Sequence, residues 1–177
     1  MKNFIALLIT ILIIFAATAY SDLPVGTKAP DFSLATISNE RFSLSDTFNK
    51  GTEVVVINVW ATWCPHCVDE IPYMIDLDKN YKNKKVKIVG VSIDSDKSKV
   101  VSFAKENKIK YTVALDSDGE KIGELYKISG VPATFVIDKK GKIRYCTSGF
   151  SNIKANQIAE IKKIENAIKD ILKEASK

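Results

Sequence analysis

The sequence predicts an α/β fold in which helices flank a mixed central sheet, with a β-hairpin added at the N-terminus. Three observations predict it. Short β-branched runs alternate with segments of helical periodicity, the pattern of parallel strands joined by crossover helices. The last two apolar runs are separated only by Asp138-Lys139-Lys140-Gly141, a hairpin signal that adds antiparallel strands. The composition is that of a packed domain, 46% hydrophobic and 27% charged over 177 residues, which excludes a disordered or collagen-like chain.

Each element follows in order. Residues 20–31, with Pro24, Gly26 and Pro30, read as an extended entry. Phe32–Ile37 and Arg41–Leu44 alternate around Ser38-Asn39-Glu40 and form the hairpin, which Asn49-Lys50-Gly51 closes. Val54–Trp60 is a near-continuous apolar run, the mark of a strand buried on both faces. A helix begins at Cys64-Pro65, because proline is favoured in the first turn; it turns Val68, Ile71, Ile75 and Leu77 inward and kinks or breaks near Pro72. Lys85–Ile93 is a second strand, and Asp94-Ser95-Asp96 caps a helix over Lys97–Lys105 that buries Val100, Val101 and Phe103 or Ala104. Tyr111–Leu115 is a strand and Ile122–Tyr126 a short helix. Thr134–Ile137 and Lys142–Thr147 form the terminal hairpin. A last helix, about Asn152–Lys173, spaces Ile158, Ile161, Ile164, Ile168 and Ile171 or Leu172 by three and four.

Residues 1–19 stand apart from this core. Lys2 precedes a run from Phe4 to Ala17 that is apolar except for Thr10, and Ala17-Thr18-Ala19 supplies small residues at a cleavage position. This is the layout of a secretory signal peptide, cleaved after Ala19. The run is short for a membrane span, which needs about 20 apolar residues, and an uncleaved N-terminal anchor is the alternative. Residues 20–177 then form a single exported domain, periplasmic or membrane-anchored on the extracytoplasmic side, where disulfides persist. The net charge of +5 comes without any run of five or six like charges, so no nucleic-acid partner is expected.

The chemistry centres on Trp63-Cys64-Pro65-His66-Cys67. A C-x-x-C at a strand-to-helix junction places the first sulfur at a helix N-terminus, where unpaired N–H groups and the macrodipole favour a thiolate. Its pKa should fall from about 8.5 into a range of roughly 3.5–7.5. The second sulfur lies one turn deeper, where it can resolve a mixed disulfide formed by the first. Cys64 is therefore the candidate nucleophile and Cys67 the resolving thiol. A zinc site needs four ligands, but the chain adds only Cys146 and its sole histidine is inside the motif. No metal or organic cofactor is expected, because the dithiol itself carries the electrons.

The order of elements resembles the thioredoxin fold with an N-terminal hairpin and a β-α unit inserted after the first helix. Val54–Pro72 resembles the active-site region of the TlpA/ResA-like thiol–disulfide oxidoreductases. Gly26-Thr27-Lys28-Ala29-Pro30-Asp31-Phe32 is similar to the entry motif that this branch shares with peroxiredoxins, and Gly130-Val131-Pro132-Ala133-Thr134 to its cis-proline loop. The resemblance implies that Pro132 is cis and lies against the cysteines. It also implies that the Val131 backbone pairs with a bound peptide strand, against the simpler reading of a trans-proline at a strand edge. It further implies that Glu70, one turn beyond Cys67, handles the buried thiol's proton. Position 58, where ordinary thioredoxins carry an aspartate, is Asn58. The alternative for Glu70 is a surface charge.

Pro65-His66 between the cysteines resembles the strongly oxidising DsbA family, so His66 can place positive charge near Cys64 and raise the potential. The scaffold points toward reductants, and the redox direction stays open. Trp60 and Trp63 are expected to pack around the motif, Trp63 flanking the sulfurs. Cys146 reads as a small buried hydrophobe or a site of intermolecular pairing.

The expected function is exchange of disulfides with disulfide- or thiol-containing protein substrates, in concert with a membrane electron-transfer partner. One family task is reducing apocytochrome c; DsbA-like general oxidation or isomerisation is the alternative. Two rivals fit less well. Peroxiredoxins carry a lone peroxidatic cysteine three residues after a threonine, and Sco-type copper carriers use C-x-x-x-C with a distant histidine.

Overall fold

The computed structural model describes residues 23–177, so the expected leader at 1–19 lies outside the described residues. The chain enters as β1 (Ser33–Ala35) and β2 (Arg41–Ser43), an antiparallel hairpin. A helix that the sequence reading did not contain follows at once, α1 (Leu44–Asn49). Ser43 ends the strand and caps this helix, its hydroxyl accepting from the Asp46 N–H.

Five strands form the main sheet: β3 (Val54–Trp60), β4 (Val86–Ser92), β5 (Thr112–Leu115), β6 (Ala133–Asp138) and β7 (Ile143–Ser148). Their spatial order is β5-β4-β3-β6-β7, with β3, β4 and β5 parallel and β6 and β7 antiparallel additions. All seven residues of β3 are buried, as expected of a central strand covered on both faces. The inserted unit contributes β5, which extends the parallel side by one strand. The N-terminal segment covers both edges of the sheet. Ile37 N–H bonds Val113 O at 3.0 Å beside β5, and residues 26–29 pair with Gly141 and Ile143 beside β7. These pairings cover part of each edge strand, at Val113 and Ala114 of β5 and at Ile143 of β7.

The helices are α2 (Pro65–Tyr81), α3 (Lys97–Glu106), α4 (Glu120–Tyr126) and α5 (Lys154–Ala175). One core layer joins α2, α3 and α5 to the face of β3 that carries Val54, Val56 and Trp60. The other joins the hairpin, α1 and α4 to Val55, Ile57 and Val59. Both layers follow from the period-2 alternation of one apolar strand.

Some expected details change. The helix does not break at Pro72, which lies exposed within α2, where the missing N–H costs one internal hydrogen bond. Val68, Val101 and Ile158 were expected inward, yet they are 36%, 39% and 54% exposed. Each stands one position off its buried stripe. In α5 that stripe is Gln157, Ile161, Ile164, Ile168 and Ile171, and in α2 it contains Cys67 and Glu70.

Candidate active site

The C-terminal ends of β3 and β4 and the start of β6 meet at the N-terminus of α2. Cys64 is the N-cap of this helix, in extended conformation, with Pro65 in the first turn. Its Sγ accepts the Cys67 N–H at 3.2 Å and is joined to Cys67 in a disulfide, the two Cα atoms 5.2 Å apart. Cys64 is 5% and Cys67 1% exposed, so the first sulfur lies nearer the surface.

Two loops hold this corner. The Val131–Pro132 peptide bond is cis, and the Val131 carbonyl oxygen lies 3.6 Å from Cys64 Sγ. Beneath the Ala61–Trp63 segment, Asp94 accepts the Thr62 N–H at 3.0 Å, the Thr62 hydroxyl at 2.5 Å and the Ser92 hydroxyl at 2.8 Å. The sequence assigned Asp94 to a helix cap. Asp96 alone caps α3, through Ser98 and Lys99, and Asp94 instead ties the loop before Cys64 to the end of β4.

Glu70 is buried, one turn below Cys67. Asn58 Nδ2 donates to its Oε2 at 2.9 Å, and the Thr134 hydroxyl to its Oε1 at 3.2 Å; Asn58 Nδ2 also bonds Thr134 Oγ1 at 3.0 Å. Burial pushes the Glu70 carboxyl up from its usual 4.5 to about 7. The two hydrogen bonds oppose this rise by favouring the charged form, and the charge of Glu160 adds to it. The surface-charge alternative for Glu70 is therefore excluded by its burial.

Pro65 and His66 are exposed, and the His66 side chain makes no hydrogen bond to Cys64. Pro132 is buried and Val131 half-buried. Trp60 packs inside against Phe103, ring centroids 5.3 Å apart, whereas Trp63 is 66% exposed. Trp63 flanks the site from outside: with Val59, Ile93, Ile122, Ile128 and Val131 it lines a groove of about 400 Å³ beside the cysteines. Cys146 is half-buried on β7, opposite Phe135. No cluster of three or more metal-ligating side chains occurs among the described residues.

Asp94, Thr134 and the groove residues of α4 and its following loop were missed by sequence reasoning. Ser92-x-Asp94 at a strand end was a visible local signal for a side-chain brace. Thr134 had none, since its partner Asn58 lies 76 positions away.

This geometry has parallels. Residues 25–146 match the AhpC/TSA family. The chain is 43% identical over 129 residues to the thiol-disulfide oxidoreductase ResA of Oceanobacillus iheyensis, covering 71% of this chain and 65% of that protein. It is 32% identical over 151 residues to ResA of Geobacillus kaustophilus, covering 81% and 84%. A solved thiol:disulfide interchange protein of the thioredoxin family from Chlorobium tepidum superposes with a TM-score of 0.64 at 27% identity, covering 86% of this chain and 99% of that one.

Proposed function

Given that this chain belongs to the AhpC/TSA family, in its thiol–disulfide oxidoreductase branch, we propose that Cys64 and Cys67 exchange disulfides with protein substrates outside the cytoplasm. The single observation that carries this reading is a Cys64–Cys67 disulfide at a helix N-terminus, its outer sulfur 3.6 Å from the Val131 carbonyl of the cis-proline loop.

In the reducing direction, the Cys64 thiolate attacks one sulfur of a substrate disulfide. A mixed disulfide forms and the other substrate sulfur leaves as thiolate. Cys67 loses its proton and attacks Cys64 Sγ, which closes the Cys64–Cys67 bond and releases the second substrate thiol. Two electrons pass to the substrate, and the pair must then be reduced by a partner. The oxidising direction runs the same steps backward.

Each neighbour has a task. The Cys67 N–H and the helix dipole stabilise the Cys64 thiolate. Glu70, with its carboxyl near neutrality, accepts the Cys67 proton. The Val131 backbone pairs with an extended substrate segment, with Pro132 fixing the loop and Trp63 walling the groove beside it. His66 stands exposed between the cysteines, where it can contact an incoming substrate.

The substrate reading is reduction of exported proteins such as apocytochrome c, with electrons supplied by a membrane partner. A second reading, general thiol oxidation, rests on Pro65-His66 alone. The reduction potential of the pair separates them. A value near −270 mV supports the reductant, and one well above roughly −180 mV the oxidant.

A further inference from the structure

The fold sorts its charges along the strand direction. The loop at residues 82–85 and the turn at 139–142 lie at the end of the sheet where β3 begins, since Val54 pairs with both Val86 and Asp138, and the loop at 107–111 enters β5 from the same direction, Thr112 pairing with Val89 three residues along β4. They carry three, three and two lysines and not one carboxylate. All of these lysines are exposed, and among the described residues only Lys139 of this set has an ion-pair partner, Glu53 at 2.9 Å; Glu53 and the buried Asp138 are the carboxylates that flank the turn. At the opposite end, the loops at 93–96 and 116–119 beside the disulfide carry no lysine; their Asp96 and Asp118 are exposed, while Asp94 and Asp116 are buried and hydrogen-bonded inside. The two poles are separated by the seven residues of β3, roughly 20 Å of strand.

We infer that the lysine pole seats on an anionic lipid surface, so that the domain stands with its disulfide turned away from the bilayer. The charge is complementary to phosphatidylglycerol-type headgroups, and flexible lysine stems suit a surface without a fixed shape. The apolar run of the sequence ends at Ala17, and Leu23, already tied to the Tyr126 carbonyl at 3.3 Å, lies six residues on. If that run stays in the lipid, residues 18–23 extend at most about 21 Å, so some face of the domain must lie close to the headgroups. The lysine pole is the face that gains by it, and the exposed Asp96 and Asp118 at the other end are repelled. Seated so, Cys64 meets protein substrates from the aqueous side, and a partner within the membrane is met when the pole lifts. The inference rests on the extracytoplasmic reading above only for how the domain reaches the bilayer.

The test uses the full chain with vesicles of phosphatidylcholine alone or mixed with phosphatidylglycerol. Lysines are acetylated by a water-soluble reagent and read by peptide mass spectrometry. With phosphatidylglycerol present, labelling of Lys84, Lys85, Lys140 and Lys142 should fall by roughly five-fold or more relative to Lys97 and Lys121, and about 0.5 M salt should restore it. Combined Lys84→Glu, Lys85→Glu and Lys140→Glu changes should abolish the protection of Lys108 and Lys110 while leaving disulfide exchange with a soluble substrate unchanged. Equal labelling at both poles, or protection at the disulfide end, overturns the inference. So does equal protection by soluble polyglutamate, which would make the pole a general anion surface. Retention on neutral vesicles without pole protection would leave the anchored reading standing and this one refuted. Protection on anionic vesicles without retention on neutral ones would do the reverse.

Discussion

Glu70 is the residue whose chemistry and energetics are most tightly bound together. Its carboxyl, held near 7 instead of 4.5, keeps its proton in the folded chain across a range where the unfolded chain has released it. The folded state thus binds more protons than the unfolded one, and stability falls as pH rises through that window. The deficit approaches about 3 kcal/mol above pH 7. Glu70→Gln should therefore unfold later than the native chain at pH 8, by up to about 3 kcal/mol, and no later at pH 4. The same variant should lose exchange rate about ten-fold or more above pH 7, where the native carboxylate accepts a proton, and progressively less below it. Stopped-flow exchange across pH 5–9 and thermal unfolding at the two pH extremes check both. Superimposable pH profiles would remove Glu70 from the mechanism. The sequence showed the glutamate's helical spacing from Cys67 but not its bonds to Asn58 and Thr134. Those depend on β3 and β6 lying side by side, which no local pattern specifies.

Among the elements, α5 tests how far periodicity reads as burial. Ile164 and Ile168 are 1% and 0% exposed, whereas Ile158 is 54% exposed. Ile168→Ala should cost about 3 kcal/mol by denaturant unfolding and Ile158→Ala close to nothing; similar costs for the two would contradict the placement of the stripe. On β4, a Cβ at position 90 would meet Trp60 Nε1 at 2.6 Å and Tyr111 at 3.0 Å. Gly90→Ala should therefore destabilise the fold by about 1–3 kcal/mol, read as a lower denaturant midpoint. The long elements were legible because apolar spacing persists over several turns or alternates along a strand. Ile158 misled because an isoleucine one step off the stripe satisfies i+3 spacing to Ile161 as well as a buried residue would. The helix α1 was missed because six residues give only Leu44 and Phe48 as a period, though Ser43 with Asp46 three residues later was a readable cap.

On the scale of the whole molecule, one sheet end gathers the disulfide, the cis-proline loop, the buried carboxyl and an apolar groove, and the other gathers lysines. The cysteines and the proline loop were legible because each is a short contiguous motif. The Asp94 brace and the groove were not, because they arise where β4, α4 and the 128–131 loop converge. In this mechanism Cys64 alone attacks and Cys67 alone resolves. The most direct measurement is trapping of the mixed disulfide with a disulfide-containing protein substrate, resolved by non-reducing electrophoresis and mass spectrometry. Cys67→Ala, reduced beforehand, should accumulate a covalent complex through Cys64, the native chain should pass through it without accumulation, and Cys64→Ala should form none. A complex linked through Cys67 or Cys146, or none from the Cys67→Ala variant, would overturn the assignment of Cys64 as nucleophile.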